Sequence, residues 1–192
     1  VDIKNTIDML SQKNLIRQYL REYIEHGGFP LVVLQQEKKE MLLRYFDDVL
    51  GKDIAERYNI RIVEKLKILA KWYLTAFASP TSYRKIAKTI GISLDTVERF
   101  SSYMSEASLI FFVPKFSYSL REQEINPKKA YCIDCGLINI MSLRFSENIG
   151  RLYEAVVYLF LLQKGKEVYY YKGKSECDFV IKEGNEITQV IQ

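Results

Sequence analysis

Apolar residues recur at helical spacing through the first third of the chain. Leu15, Tyr19, Leu20, Tyr23 and Ile24 form one stripe, and Met41, Leu42, Tyr45, Phe46, Val49, Leu50 and Ile54 a second. A third runs from Ile60 through Val63, Leu66, Leu69, Trp72 and Tyr73 to Phe77. Intervals of three and four bring such residues to one side of a helix, so three amphipathic helices around a shared core are predicted. Gly27-Gly28 punctuates the end of the first, and Pro30 prevents its immediate continuation.

The pattern tightens in the middle. Ser79-Pro80-Thr81-Ser82 opens a short helix over 83–90 with Ile86 and Ala87 apolar, Gly91 breaks it, and Ile92 is expected to be buried in the turn. Ser93 is a good N-cap for a helix over 94–107, with Val97, Phe100, Tyr103 and Met104 on one side. Helix, glycine turn and capped helix form the helix-turn-helix pattern. Strands are expected over 109–113 and 129–133, separated by a polar stretch with Pro114 and Pro127, so the unit reads as a winged helix.

Beyond it the period changes. A helix is predicted over 150–163, with Leu152, Val156, Leu159 and Phe160 inward, followed by β-rich runs over 167–171, 177–182 and 187–192. Gly173 and Glu183-Gly184-Asn185 separate the runs as turns would. The fold class expected is therefore mainly α with a winged helix-turn-helix, followed by a partial α/β lobe. The chain opens at Val1 and stops inside the apolar run 187–192, so a carboxy-terminal fragment of a larger protein is expected.

Composition narrows the class. With 48% hydrophobic residues over 192 positions the chain can bury a sizeable core. Its longest apolar runs, 110–113 and 155–162, are too short to cross a bilayer, so no membrane partner is expected. Three cysteines cannot all pair, which favours a reducing cytoplasm. Cys132-x-x-Cys135 has metal-ligand spacing, with Cys177 and His26 as further ligand types, but buried thiols and no metal are the expectation.

Several stretches together resemble the carboxy-terminal half of prokaryotic, especially archaeal, ATPases of the AAA+/STAND-like class. They are His26-Gly27-Gly28-Phe29-Pro30, Lys52-Asp53-Ile54-Ala55-Glu56-Arg57-Tyr58, Tyr131-Cys132-Ile133-Asp134-Cys135-Gly136-Leu137 and Glu176-Cys177-Asp178-Phe179-Val180-Ile181, in this order. The resemblance implies a helical lid-like subdomain over 1–58, a winged helix-turn-helix over 59–143 and a truncated restriction-endonuclease-like lobe over 144–192. It also implies a parent that uses ATP and magnesium. No G-x-x-x-x-G-K-[ST] loop occurs here, so the phosphate-binding machinery is expected upstream. By the same resemblance Gly27, Gly28 and Pro30 form a nucleotide-lid element, and Glu154 and Asp178 occupy two metal-binding acid positions of a nuclease. The third acid position falls on Gln192, and the alternative register through Glu186 meets Thr188 where a lysine belongs. A neutral amide removes one of three negative charges, so the lobe is expected not to cut DNA.

Two function classes stand. One is a regulatory and interaction segment of a P-loop ATPase, partnered by DNA, the upstream ATPase domain or a second copy of the chain. The other is a metal-dependent nuclease of the PD-(D/E)xK type acting on DNA. For DNA contact the phosphate-binding candidates are Lys85, Arg99, Lys128 and Lys129. The footprint is thin, because Arg84, Lys85, Lys88 and Arg99 face Asp95, Glu98 and Glu106 within 81–107.

Overall fold

The computed structural model describes residues 3–141, 149–173 and 175–192. Helix α1 (Ile3–His26) and the short α2 (Pro30–Leu34) lead to α3 (Lys38–Asp48), which continues as a π-helical stretch, Val49–Glu56. The widening has a sequence cause. Leu42, Phe46, Leu50 and Ile54 are all buried at strict intervals of four. An α-helix of 3.6 residues per turn would rotate such a stripe by about 40° at each step, whereas a wider turn keeps it on one side. Helix α4 (Val63–Thr75) follows and buries Leu66, Leu69, Ala70, Tyr73 and Leu74.

Next come β1 (Pro80–Thr81), α5 (Tyr83–Ile90), α6 (Leu94–Glu106), β2 (Ile110–Val113), α7 (Leu120–Ile125) and β3 (Lys128–Cys132). Ser82 caps α5 by accepting from the Lys85 amide at 3.2 Å. Gly91 closes that helix in the left-handed region at φ 71°. Ser93 then caps α6 by accepting from the Thr96 amide at 3.1 Å. The three strands form an antiparallel sheet in the order β1-β3-β2.

Helix α8 (Cys135–Met141) lies against α1, α3 and α4, and α9 (Ile149–Gln163) introduces a second antiparallel sheet. This sheet is the meander β4 (Glu167–Lys172), β5 (Glu176–Glu183) and β6 (Glu186–Ile191). One contiguous core unites the helices with the inner residues of both sheets, and a satellite cluster of Tyr169, Cys177 and Val180 packs with Phe116. The protein is thus mixed α and β, with two small antiparallel sheets. Among the described residues no helix is long and apolar enough to cross a membrane.

Three local expectations change. The expected plain hairpin carries a helix, α7, between its strands and has a third strand, β1, paired to β3. Leu15 and Tyr19 lie exposed on α1 rather than in the core. Phe160 is 57% exposed, because α9 buries the side defined by Leu152, Ala155, Tyr158 and Leu159. The Lys164 ammonium lies 5.5 Å from the exposed Phe160 ring centre.

Candidate functional site

The densest group of buried polar side chains lies where β3, α9 and β5 meet. On β3, Lys129 and Tyr131 are two residues apart and therefore share a side of the strand. The Lys129 ammonium donates to Glu154 on α9 at 2.9 Å and to Asp178 on β5 at 3.1 Å. The Tyr131 hydroxyl donates to the same Glu154 oxygen at 2.5 Å. Lys129 is only 2% exposed, the side chain of Glu154 11% and that of Asp178 28%, so the group opens to solvent on the Asp178 side. The Tyr170 ring, 5.6 Å from the Lys129 ammonium, closes another side.

Electrostatics follow from this geometry. Burial works to lower the Lys129 pKa, but the hydrogen bonds and charges of Glu154 and Asp178 outweigh it and hold the ammonium above its ordinary value. Burial raises the Glu154 carboxyl above the usual carboxylate range, although Lys129 and Tyr131 both oppose the shift. Burial, then the Glu154 charge, pushes the Tyr131 phenol well up. One cation between two acids leaves a site with a single residual negative charge.

Here the expectation for Lys129 is corrected. Placed on the wing as a phosphate contact, it is instead buried and committed to two carboxylates. Glu154 and Asp178, which the resemblance sets at two acid positions of a nuclease, are brought together through Lys129, whose ammonium donates to both. The β5–β6 pairing runs as far as Phe179 with Ile191, and Gln192 follows it. Among the described residues no group of three or more His, Cys, Asp or Glu gathers to hold a metal ion. Cys132, Cys135 and Cys177 are free and buried. Burial pushes the Cys135 thiol up to about 12 and the Cys132 thiol higher still.

A second constellation joins two of the motif stretches. The Asp134 carboxylate accepts from the Gly28 amide at 2.7 Å and the Leu137 amide at 3.2 Å, so it caps α8 and fastens the end of α1 together. A Cβ on Gly27 would fall 2.0 Å from the Asp134 carboxylate, and one on Gly136 would fall 2.3 Å from the His26 carbonyl oxygen. Asn139 donates from its amide nitrogen to the carbonyls of Ile24 and Glu25 at 2.6 and 3.0 Å. Gly27 and Gly28 are thus used for close backbone approach within the chain, while Pro30 stands exposed at the first turn of α2.

The remaining residues expected to contact DNA have mixed fates. Arg99 is exposed but pairs with Asp95 one turn earlier at 3.2 Å, and Lys128 pairs with Glu124 at 2.9 Å. Lys85 is exposed on α5. The carboxy-terminal half of α6 is covered by the segment after the π-helical stretch. The Tyr58 ring stacks on Tyr103 with centres 3.7 Å apart, and its hydroxyl donates to Glu106 at 2.6 Å. The limbs of the β2–β3 connection are held too. The Phe116 amide donates to the Tyr170 carbonyl at 2.7 Å, the Tyr170 amide to Pro114 at 3.1 Å, and the Tyr170 hydroxyl to Pro127 at 2.6 Å.

Sequence reasoning missed the parts of Tyr58, Tyr131 and Tyr170. For Tyr58 and Tyr170 the partners are remote in sequence, and no local pattern marks them.

The architecture defines a mixed α and β protein segment with two small antiparallel sheets. Residues 17–148 match the family described as a domain of unknown function (DUF8612), and the chain belongs to that family. It is 35% identical to an uncharacterized protein of Methanocaldococcus jannaschii over 203 residues, covering 98% of this chain and 45% of that protein. It is 26% identical to an uncharacterized protein of Haemophilus influenzae over 188 residues, covering 94% of this chain and 47% of the other. The chain spans about half the length of the curated relatives it matches. No solved structure matches it.

Proposed function

We propose that this chain is a regulatory and interaction segment of a P-loop ATPase, with a winged helix at its centre and an endonuclease-like lobe that does not cut. The observation carrying this reading is the Lys129 ammonium between Glu154 and Asp178. A divalent metal for phosphodiester cleavage needs several free carboxylate oxygens and an open path to substrate. Here a protein cation takes the seat and Gln192 adds no charge, so the acids act as structural anchors.

The strand order β1-β3-β2 around a helix-turn-helix supports the winged-helix reading. The length of the relatives, about twice that of the chain, leaves room in such proteins for an ATPase domain. ATP, magnesium and that domain belong to the proposed parent rather than to residues 1–192, and a cytoplasmic setting belongs to the same reading.

The test is a magnesium-dependent cleavage assay on the intact parent with duplex DNA, beside its ATP hydrolysis. ATP turnover without cleavage is the expected result. Cleavage that needs magnesium and disappears in Asp178→Ala would replace this reading with the nuclease one.

A further inference from the structure

The cations of the helix-turn-helix and wing divide sharply by what they already touch. Arg99 is paired with Asp95, Lys128 with Glu124, and Lys129 with Glu154 and Asp178. Lys115 is half-buried beside β4, where its backbone bridges to Tyr170. Arg121 on α7 is a single exposed cation of the wing with no carboxylate within ion-pair distance among the described residues. The first helix of the motif differs. Arg84, Lys85 and Lys88 of α5 are all exposed, and among the described residues none has a carboxylate within ion-pair distance.

Their placement follows from the helix. Ile86 and Ile90 point into the core, which turns positions 84, 85 and 88 outward. Arg84 and Lys88 are one turn apart on one side, with Lys85 beside them. Lys65 of α4 adds a fourth positive charge at the end of α5, donating to the Ile90 carbonyl at 2.8 Å. Two opposing charges, Glu98 of α6 and Glu124 of α7, line with Arg84 and Lys128 a cleft of about 490 Å³.

We propose that the α5 side bearing Arg84, Lys85 and Lys88 docks on the phosphate backbone of duplex nucleic acid without reading its sequence. The inference rests on the winged-helix reading above and specifies its partner. In helix-turn-helix docking the first helix crosses the backbone while the second enters the major groove. Here α6 exposes Asp95, Glu98 and Glu106 against Arg99 alone, so base reading is opposed. Of the two helices of the motif only the backbone-crossing one carries exposed cations outside an ion pair among the described residues, which suits a repeating polyanion.

Fluorescence anisotropy of residues 1–192 with two labelled duplexes of unrelated sequence tests this. Three phosphate contacts should give equal affinity for both duplexes and a slope of log affinity against log salt of about −2.7. Reversal of Arg84, Lys85 and Lys88 to Glu should weaken binding by at least about tenfold. Reversal of the exposed α1 residues Lys13, Arg17 and Arg21 should leave it unchanged. All six reversed residues are on the surface, and melting curves of the two triple variants should match the parent chain. Absence of duplex binding at low salt, binding of poly-glutamate at α5 in its place, an unaffected α5 variant, or equal loss in the α1 variant would each overturn the proposal. None of these outcomes bears on ATP turnover or cleavage by the intact parent, so the two readings fail separately.

Discussion

Lys129 illustrates how a buried cation is tolerated. Removing an ammonium from water costs several kcal/mol, and the cost is offset only where opposite charge and hydrogen bonds are in place. Glu154, Asp178 and the Tyr170 ring supply them. Lys129→Met should therefore destabilise the chain by about 3 kcal/mol in urea unfolding, since two acids lose their cation. Adding Glu154→Gln should recover part of that loss; a double variant no more stable than the single one would refute the pairing. The pH dependence has a definite sign. The folded-state pKa of Lys129 lies above its ordinary value, so its contribution is complete below the ordinary lysine range and is lost as pH rises through the folded value. The raised Tyr131 phenol pulls in the same direction, because the unfolded chain ionises it first. Stability should consequently fall on the alkaline side, and more shallowly in Lys129→Met, as read by urea midpoints across that range. Gly27 gives a second residue-scale prediction. With φ at 80° and no room for a Cβ beside Asp134, Gly27→Ala should cost on the order of 3 kcal/mol. Thermal melting within a degree or two of the parent chain would show that the joint relaxes freely.

At the level of elements, capping decides where α5 and α6 begin and end. Ser82, Gly91 and Ser93 each satisfy or release backbone groups that the helices leave unpaired. Ser93→Ala should cost about 1 kcal/mol, and Ser93→Asp should restore it, with α6 helicity unchanged in both. Equal stability of all three proteins would mean that the cap bond contributes nothing. Helix α6 is also held from outside by Tyr58, and Tyr73 bonds its Ser101 at 2.6 Å within the core. Both contacts fall in the carboxy-terminal half of α6. The β2–β3 connection is braced likewise by the backbone and hydroxyl of Tyr170.

For the whole molecule, a contiguous core from α1 to β5 implies cooperative unfolding. Calorimetric and van't Hoff enthalpies of residues 1–192 should agree, and two resolved transitions would show separable units. Without a phosphate-binding loop, these residues should show no micromolar affinity for ATP by titration calorimetry. In the intact parent, Pro30→Ala should weaken nucleotide binding if the exposed start of α2 lies over the nucleotide, and unchanged affinity would remove the lid assignment.

Local pattern in the sequence was enough for the helices that bury a stripe at regular spacing, for the glycine turn between α5 and α6, and for the strands of the final meander. Those features depend on residues a few positions apart, whose preferences act before any tertiary contact forms. The resemblance, rather than local pattern, paired Glu154 with Asp178 and implied a third acid position at Gln192. Tertiary structure alone decided what lies between the acids, because Lys129 is 25 positions from Glu154 and 49 from Asp178. It alone decided that Gly27 and Gly28 close on Asp134, more than a hundred residues away, and that Tyr58 and Tyr170 contact α6 and the β2–β3 connection. A charged residue at a strand's start reads as solvated by default, and only the packing of two sheets and α9 around Lys129 makes it an internal cation.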